Sequence, residues 1–201
     1  MKKLMLSWTL ILAVAGLTFM SCGKDKDDNT NPTPTSFKDP RDQKTYKLVT
    51  ISGQTWFAEN LNYDIPGNSA CANDSCDKYG RVYTGPVAKI VCPQGYHLPT
   101  DAEWRTLEHN LGMSDEDTAK VGWYTRGVNE AIGISLANGG RSGFNALLFG
   151  DETYFWASDV PKNFPEFQYY RGLKVKDPSV YRSFIGGGSS TAKLCVRCLK
   201  N

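Results

Sequence analysis

The residues with the clearest capacity for chemistry are the six cysteines, one of which ends an apolar N-terminal segment. The other five are Cys71, Cys76, Cys92, Cys195 and Cys198. Thiols at these spacings can form disulfide bonds. Alternatively, the two pairs Cys71-x4-Cys76 and Cys195-x2-Cys198 can bind zinc through four thiolates. Disulfides form in oxidising compartments, so the choice depends on whether the chain is exported.

The N-terminus predicts export. Lys2 and Lys3 precede an apolar run that ends at Met20, which is the pattern of a signal peptide over residues 1–21. Cys22 follows a small residue and is predicted to be lipidated after cleavage. Its lipid would attach the chain to a membrane without a spanning helix.

Residues 22–36 are predicted to be a lipidated N-terminus followed by a disordered linker, because they contain no large apolar side chain. The Lys-Asp-Lys-Asp-Asp run at 24–28 resembles the acidic signal of Bacteroidetes lipoproteins that reach the cell surface. The sequence therefore predicts an outer-membrane location, with a folded domain over 37–201 displayed outside the cell. In that setting disulfide bonds are favoured over zinc, and Cys71 and Cys76 are expected to close a small loop.

The charge balance excludes one class of partner. The chain has 23 basic and 21 acidic residues, and removal of Lys2 and Lys3 with the signal peptide leaves the two classes equal. A nucleic-acid-binding protein would need a basic face, so no nucleic-acid partner is expected.

Residues suited to catalysis are few. Of the two histidines, His97 is expected to hydrogen-bond the backbone of its turn, and His109 is expected to be solvated on a helix. Cys92 and His97 could in principle form a nucleophile pair, but Cys92 is better explained by a disulfide. The chain has no motif for nucleotide or metal catalysis. We therefore predict a non-enzymatic protein with no catalytic residue, no metal site and no cofactor.

One helix has a strong local signal. Pro93 and Gly95 form a turn, after which Thr100 occupies an N-cap position and Glu103 follows three residues later. This capping box predicts a helix over 101–111.

The remaining elements are mainly short strands. Alternation predicts a hairpin from strands 45–51 and 54–58, joined by a turn at Ser52-Gly53. Residues 114–130 are ambiguous and suit a second short helix, and the glycine-rich residues 132–145 are predicted to be mostly loop. Further strands are predicted over 143–147, 153–157, 168–174 and 192–199. This pattern predicts an α+β fold with short, mostly antiparallel strands and one or two helices.

Two stretches carry a resemblance to a known family. They are Cys92-Pro-Gln-Gly-Tyr-His-Leu-Pro-Thr-Asp-Ala-Glu-Trp104 and Cys195-Val-Arg-Cys-Leu-Lys200. With the opening segment Gln54–Tyr63, they resemble the Fibrobacter succinogenes major paralogous domain, over nearly all of the folded part. The resemblance implies a C-type lectin-like fold related to that of the formylglycine-generating enzymes.

The family pattern also implies a disulfide between Cys92 and Cys198. The alternative pair, Cys92 with Cys195, stays open at this stage. Residues 195 and 198 are an odd number of positions apart, so on one strand they would point to opposite faces. Cys195 is accordingly expected to be free and largely buried if Cys198 forms the bond.

A binding surface is expected where aromatic and charged residues alternate near the lectin-like ligand face. Core packing is the alternative explanation for the same residues. Exposed tyrosine and arginine side chains are typical of binding surfaces. The candidate binding residues are Phe167, Tyr169, Tyr170, Arg171, Tyr181 and Arg182.

The leading functional prediction is a surface lipoprotein that binds a glycan or a protein through this surface. The alternative is an exported enzyme, or an enzyme accessory, related to the formylglycine-generating branch of the fold. A reactive Cys195 would favour that alternative, whereas an exposed aromatic surface would favour binding.

Overall fold

The computed structural model describes residues 35–122, 126–186 and 191–201. This part of the chain forms two β-sheets and several short helices. Its strands are β1 (Thr35–Lys38), β2 (Thr45–Ile51), β3 (Gln54–Phe57), β4 (Ser69–Cys71), β5 (Arg81–Thr84), β6 (Tyr96–His97), β7 (Glu152–Trp156), β8 (Phe167–Lys174), β9 (Tyr181–Gly186), β10 (Lys193–Cys195) and β11 (Leu199–Lys200). Its α-helices are α1 (Cys76–Tyr79), α2 (Gly85–Ala88), α3 (Asp101–Asn110), α4 (Asp115–Ala119) and α5 (Ile132–Leu136).

The first sheet has the strand order β1-β2-β3-β11-β6, and the second has the order β4-β5-β10-β7-β8-β9. Neighbouring strands are antiparallel except for β10 and β7, which pair in parallel through Cys195 and Phe155. The predicted α+β class with mostly antiparallel strands is therefore confirmed. The described helices outnumber the predicted one or two, because several single turns of four or five residues accompany α3.

The hairpin and the main helix form as predicted. Strands β2 and β3 pair in register from Leu48–Phe57 to Ile51–Gln54. Thr100 accepts a hydrogen bond from the Glu103 backbone, and the Glu103 carboxylate accepts one from the Thr100 backbone at 2.7 Å. This capping box is complete, and α3 begins at the predicted residue.

The closing segment differs from the single strand predicted over 192–199. It is divided into β10, which belongs to the second sheet, and β11, which belongs to the first. Residues 196–198 cross from one sheet to the other, so the end of the chain ties the two sheets together.

Two further predictions are corrected. The five-residue helix α5 lies within the glycine-rich segment that was predicted to be mostly loop. Glycine serves close packing there, because a Cβ at Gly133 would lie 2.2 Å from the carbonyl oxygen of Ser179. The predicted strand at 143–147 reduces to a single bridge between Ala146 and Ala137.

The N-terminal boundary also shifts. Thr35 and Ser36, assigned to the linker by composition, pair with Leu48 and Lys47 in the first sheet. The strand thus begins two residues before the predicted domain. The signal peptide, Cys22 and the rest of the linker lie outside the described residues.

Two hydrophobic cores flank the sheets. The first core includes the rings of Trp56, Trp104, Phe144 and Phe155, with neighbouring centroids 4.9–5.9 Å apart. The second core includes Phe57, Tyr83, Trp156 and Tyr170. Successive residues on a strand point to opposite faces, which is why adjacent residues such as Trp56 and Phe57 supply different cores. The side chains of Trp56, Phe57, Trp104, Phe144 and Trp156 are fully buried, and Trp123 lies outside the described residues.

Within the described ranges, we find no helix of the length and apolar character needed to cross a membrane.

Candidate functional site

The six candidate binding residues lie together on the β8–β9 hairpin, but most of them are buried. The exposed fractions are 6% for Tyr170, 1% for Arg171, 9% for Tyr181 and 6% for Arg182. Phe167 and Tyr169 are half-buried. The expectation that these six residues form an exposed binding surface is therefore wrong for four of them.

The arginines are buried because helix α3 supplies their counter-charges. Arg171 and Arg182 are paired across β8 and β9, and both guanidinium groups reach the Asp101 carboxylate, at 2.9 and 2.6 Å. Arg171 also binds Glu108 at 2.5 Å, and Arg126 binds the same carboxylate at 2.5 Å. These five side chains form one buried ionic cluster that attaches α3 to the second sheet.

The cluster holds the Asp101 carboxylate in the charged form. Burial alone would raise the pKa of Asp101, but the hydrogen bond from Arg182 and the positive charges of Arg171 and Arg182 outweigh it and lower that pKa. Backbone carbonyl groups of α4 and the residue after it accept further guanidinium hydrogens of Arg126 and Arg182. Every guanidinium group of the cluster is thus paired with a carboxylate inside the fold, so the attachment of α3 to the second sheet explains the cluster.

The part of this hairpin that faces solvent is a small aromatic patch, formed by Phe164, Phe167, Tyr169 and Phe184. The Phe164 and Phe184 rings stack at 5.4 Å, and Phe167 and Tyr169 contact Phe184 edge-on at 5.6 and 5.9 Å. Phe164 is 45% exposed. Two of the six predicted binding residues, Phe167 and Tyr169, thus belong to this aromatic patch.

The cysteine predictions are confirmed. Disulfide bonds join Cys71 to Cys76 and Cys92 to Cys198, which excludes the zinc arrangement of these thiols. Cys195 keeps a free thiol in the first core. Burial raises the pKa of this thiol to about 12, so it is a poor nucleophile.

His97 differs from its prediction. Its imidazole contacts side chains, with Nε2 3.0 Å from the Glu103 carboxylate and Nδ1 2.7 Å from Asn201 Oδ1. It therefore connects the helix cap to the end of the chain. His109 is exposed beside Asp115 at 3.2 Å, as expected for a solvated helix residue.

A second region, which the sequence did not single out, is a polar groove of about 500 Å³. It lies between the start of β2, the segment after β3, helix α1 and the loop before β7. Its lining includes Lys44, Tyr46, Lys47, Glu59, Asn60, Asn62, Asp77, Lys78, Tyr79, Asn138 and Asn145. The volume is within the range of small-molecule and sugar sites.

The floor of the polar groove is fixed by Asn60. Its Nδ2 donates to the Tyr79 carbonyl at 2.8 Å and to Cys195 Sγ at 3.3 Å, while its Oδ1 accepts from Arg197 Nε at 2.7 Å. Gly80, with a φ of 73°, packs so closely that a Cβ would lie 2.8 Å from Asn60 Cβ. Helix α1 is thereby held directly against the floor.

Arg197 lies beneath this floor and is fully buried. It donates to the carbonyl oxygens of Phe57, Phe144 and Asn145, at 3.0, 2.6 and 2.9 Å. Asn145 has a left-handed φ of 53°. Burial lowers the pKa of the Arg197 guanidinium to about 9, which leaves it positively charged at neutral pH.

The walls of the polar groove retain unused polar groups. Lys47 and Lys78 are exposed, and neither forms an ion pair with a carboxylate in the described part of the chain. Asn62 Oδ1 is buried and lacks a hydrogen-bond partner among the described residues. Glu59 uses Oε2 to accept from the Lys47 backbone at 2.8 Å. The exposed lysine ammonium groups can pair with a polar ligand, whereas the buried Asn62 Oδ1 is out of its reach.

Sequence reasoning missed the polar groove because its lining comes from segments up to a hundred residues apart. The available signal was Glu59-Asn60-Leu61-Asn62, in which polar side chains alternate with a buried leucine just after a strand. A strand-like alternation that continues beyond the hairpin indicates a polar face next to the core.

Comparison with known families matches residues 49–200 to the Fibrobacter succinogenes major domain. This range contains both disulfides, the buried ionic cluster and all of the polar groove except its Lys44–Lys47 edge. Comparisons with curated proteins and with solved structures give no match.

Proposed function

The chain belongs to the Fibrobacter succinogenes major domain family, and we propose that it is a non-enzymatic binding module. In this proposal Cys22 carries a lipid that anchors the protein in the outer membrane, and the domain is displayed at the cell surface. Its fold is of the C-type lectin-like type, and its ligand is a glycan or a protein.

The polar groove is the proposed ligand site, and it is the observation that carries the proposal. It combines a concave shape with side chains of three kinds that recognise polar ligands: amides, lysines and a carboxylate. Sites of this type bind through a few fixed polar groups, and the Asn60 floor is fixed by three hydrogen bonds.

The likeness to lectin-like folds supports the binding proposal by analogy only. The mixed α+β architecture and the Cys92–Cys198 bond agree with what that likeness implies. The N-terminal segment supports the location, because a basic start, an apolar run and a cysteine are the features of a lipoprotein signal.

The enzyme alternative rests on the likeness to the formylglycine-generating branch of the fold, and a reactive Cys195 would favour it. This thiol is buried and has a pKa of about 12, so Cys195 does not support the alternative. His97, the other residue considered, is engaged by Glu103 and Asn201.

A pair of bulky substitutions tests the site. Asn138 is exposed at the rim of the polar groove, so Asn138→Trp should fill the groove without disturbing the core. Asn163→Trp makes the same change at an exposed position beside the aromatic patch. The full-length protein in detergent would be applied to arrays of glycans and of proteins.

We expect the wild type and Asn163→Trp to bind the same ligand, and Asn138→Trp to lose that binding while it unfolds at an unchanged temperature. Loss in Asn163→Trp alone would instead place the ligand on the aromatic patch. If no ligand is retained by the wild type on either array, the binding proposal is wrong.

A further inference from the structure

We propose that the polar groove recognises an acidic glycan, through a sugar unit that carries a carboxylate or a sulfate group. This inference rests on the proposed function and narrows its ligand class. It follows from two features of the polar groove: a buried positive charge behind its floor, and two exposed lysines that form no ion pair with a carboxylate in the described part of the chain.

The buried positive charge is Arg197. Its hydrogen-bond acceptors are neutral oxygens, namely one amide side chain and three backbone carbonyl groups. Of these acceptors, Asn60 and Asn145 line the polar groove. A full positive charge therefore lies one residue behind the floor, in a region of low dielectric constant where its field is weakly screened.

The lysines of the wall differ in availability. Lys44 is engaged, because its ammonium group donates to the Asn62 carbonyl at 2.5 Å and lies 3.4 Å from Asp42. Lys47 and Lys78 are exposed, on β2 and on α1 respectively. Lys78 Nζ lies 4.7 Å from the centre of the Tyr79 ring, a contact that supplies no negative charge to pair with it.

Acidic residues also line the polar groove and offset part of this positive charge. The Glu59 carboxylate is held by the Lys47 backbone, and the charge of Glu59 acts on buried Arg197. Asp77 is exposed on α1, where it can be directed towards solvent or accept from a ligand hydroxyl. The lining has three ammonium groups and these two carboxylates, above a buried guanidinium.

Amide groups of the lining supply partners for sugar hydroxyls. Asn62 is fixed by donation from its Nδ2 to the Cys76 carbonyl at 2.9 Å, and its Oδ1 is buried out of reach of a ligand. Asn138 is exposed at the polar groove, and its amide can both donate to and accept from a sugar hydroxyl. Tyr79 also lines the polar groove, and its ring contacts Lys78 Nζ at 4.7 Å and Phe149 at 6.0 Å.

The test compares three sets of oligosaccharides by calorimetry with the full-length protein in detergent. They are oligogalacturonates, which supply carboxylates, sulfated galactan oligosaccharides, which supply sulfates, and neutral galactan oligosaccharides. We expect at least one acidic set to bind at least tenfold more tightly than the neutral set. We also expect this affinity to fall as the salt concentration is raised.

Two matched double variants test the residues. Lys47→Gln with Lys78→Gln should weaken binding of the acidic set by about tenfold, since each exposed charge contact contributes a few-fold. Lys162→Gln with Lys176→Gln removes the same charge at exposed positions outside the groove and should leave the affinity unchanged. All four side chains are exposed, so both variants should fold, which thermal unfolding would verify.

The outcomes separate this inference from the proposed function. Equal binding of neutral and acidic sets that is lost in Asn138→Trp would overturn the inference and retain the groove as the site. Acidic binding that is insensitive to Lys47 and Lys78 would also overturn it. If the wild type binds proteins but no glycan, and Asn138→Trp abolishes that binding, the inference is overturned and the groove remains the site of a protein-binding module. Failure of every ligand would overturn both.

Discussion

Arg171 Nε lies 2.5 Å from Glu108 Oε1, and both side chains are buried between strand β8 and helix α3. Glu108 also binds Arg126 through its other oxygen, so one carboxylate is paired with two guanidinium groups. Removal of one member of a buried ion pair leaves an uncompensated charge in the interior.

We therefore predict that Glu108→Gln lowers the free energy of unfolding by about 3–5 kcal/mol. Chemical denaturation followed by tryptophan fluorescence would measure this. Glu116→Gln is the control, because Glu116 is an exposed residue of neighbouring helix α4 and should change stability little. Equal, small losses in both variants would show that the cluster contributes little to the fold.

Acid should destabilise the protein through Asp101. Its pKa is lowered in the folded state, because the hydrogen bond and charges from Arg182 and Arg171 outweigh the opposing effect of burial. A carboxylate with a lowered folded pKa stabilises the fold fully above the unfolded pKa of about 4, and this contribution is lost as the pH falls through the folded value. The free energy of unfolding should thus decline below about pH 4. In Asp101→Asn the decline should be shallower, and an unchanged slope would contradict this assignment.

The buried ionic cluster could not be predicted from the sequence, whereas the start of helix α3 could. The capping box of Thr100 and Glu103 is local, so residue types three positions apart were enough to predict it. Arg171 binds residues more than sixty positions away along the chain. Aromatic and charged residues alternate around it on β8, a pattern that predicts an exposed binding strand. Strand β8 is buried on both faces. The local sequence does not indicate this, because the elements that cover the strand are distant along the chain. The polar groove has the same difficulty, since Asn60 and Arg197 meet only after both sheets form.

The two disulfides should contribute unequally to stability. Cys92–Cys198 spans 106 positions, whereas Cys71–Cys76 spans 5. In the chain-entropy model the longer loop contributes about 5 kcal/mol and the shorter about 2 kcal/mol. Denaturation of the double alanine variants should show the larger loss for Cys92 and Cys198. Similar losses would show that loop entropy does not dominate here.

The short disulfide should instead matter for binding. Cys76 lies in the wall of the polar groove, at the start of helix α1. The Cys71→Ala, Cys76→Ala variant is therefore expected to lose ligand affinity under conditions where it is still folded. Retained affinity would mean that Gly80 and Asn60 hold α1 in place on their own.

Cys195 should be inert in the folded protein. Burial raises the pKa of its thiol to about 12, so at pH 8 only about one molecule in ten thousand carries the thiolate. Iodoacetamide at pH 8 should leave the Cys195 peptide unlabelled in the native state and label it fully in denaturant. Rapid native labelling would contradict the burial of Cys195 and would reopen the enzyme alternative.

The lipid anchor can be tested apart from the fold, because Cys22 lies outside the domain. Cells grown with labelled palmitate should incorporate the label into the wild type and into Cys195→Ala, but not into Cys22→Ala. The first two proteins should fractionate with the outer membrane, and Cys22→Ala should be released or left unprocessed. Because the linker has no large apolar side chain, protease added to intact cells should cleave it and shed the folded domain if the domain is displayed outside. A domain that is shed only after the outer membrane is broken would place the protein on the periplasmic face. A Cys22→Ala protein that is cleaved and still fractionates like the wild type would rule out the lipoprotein assignment.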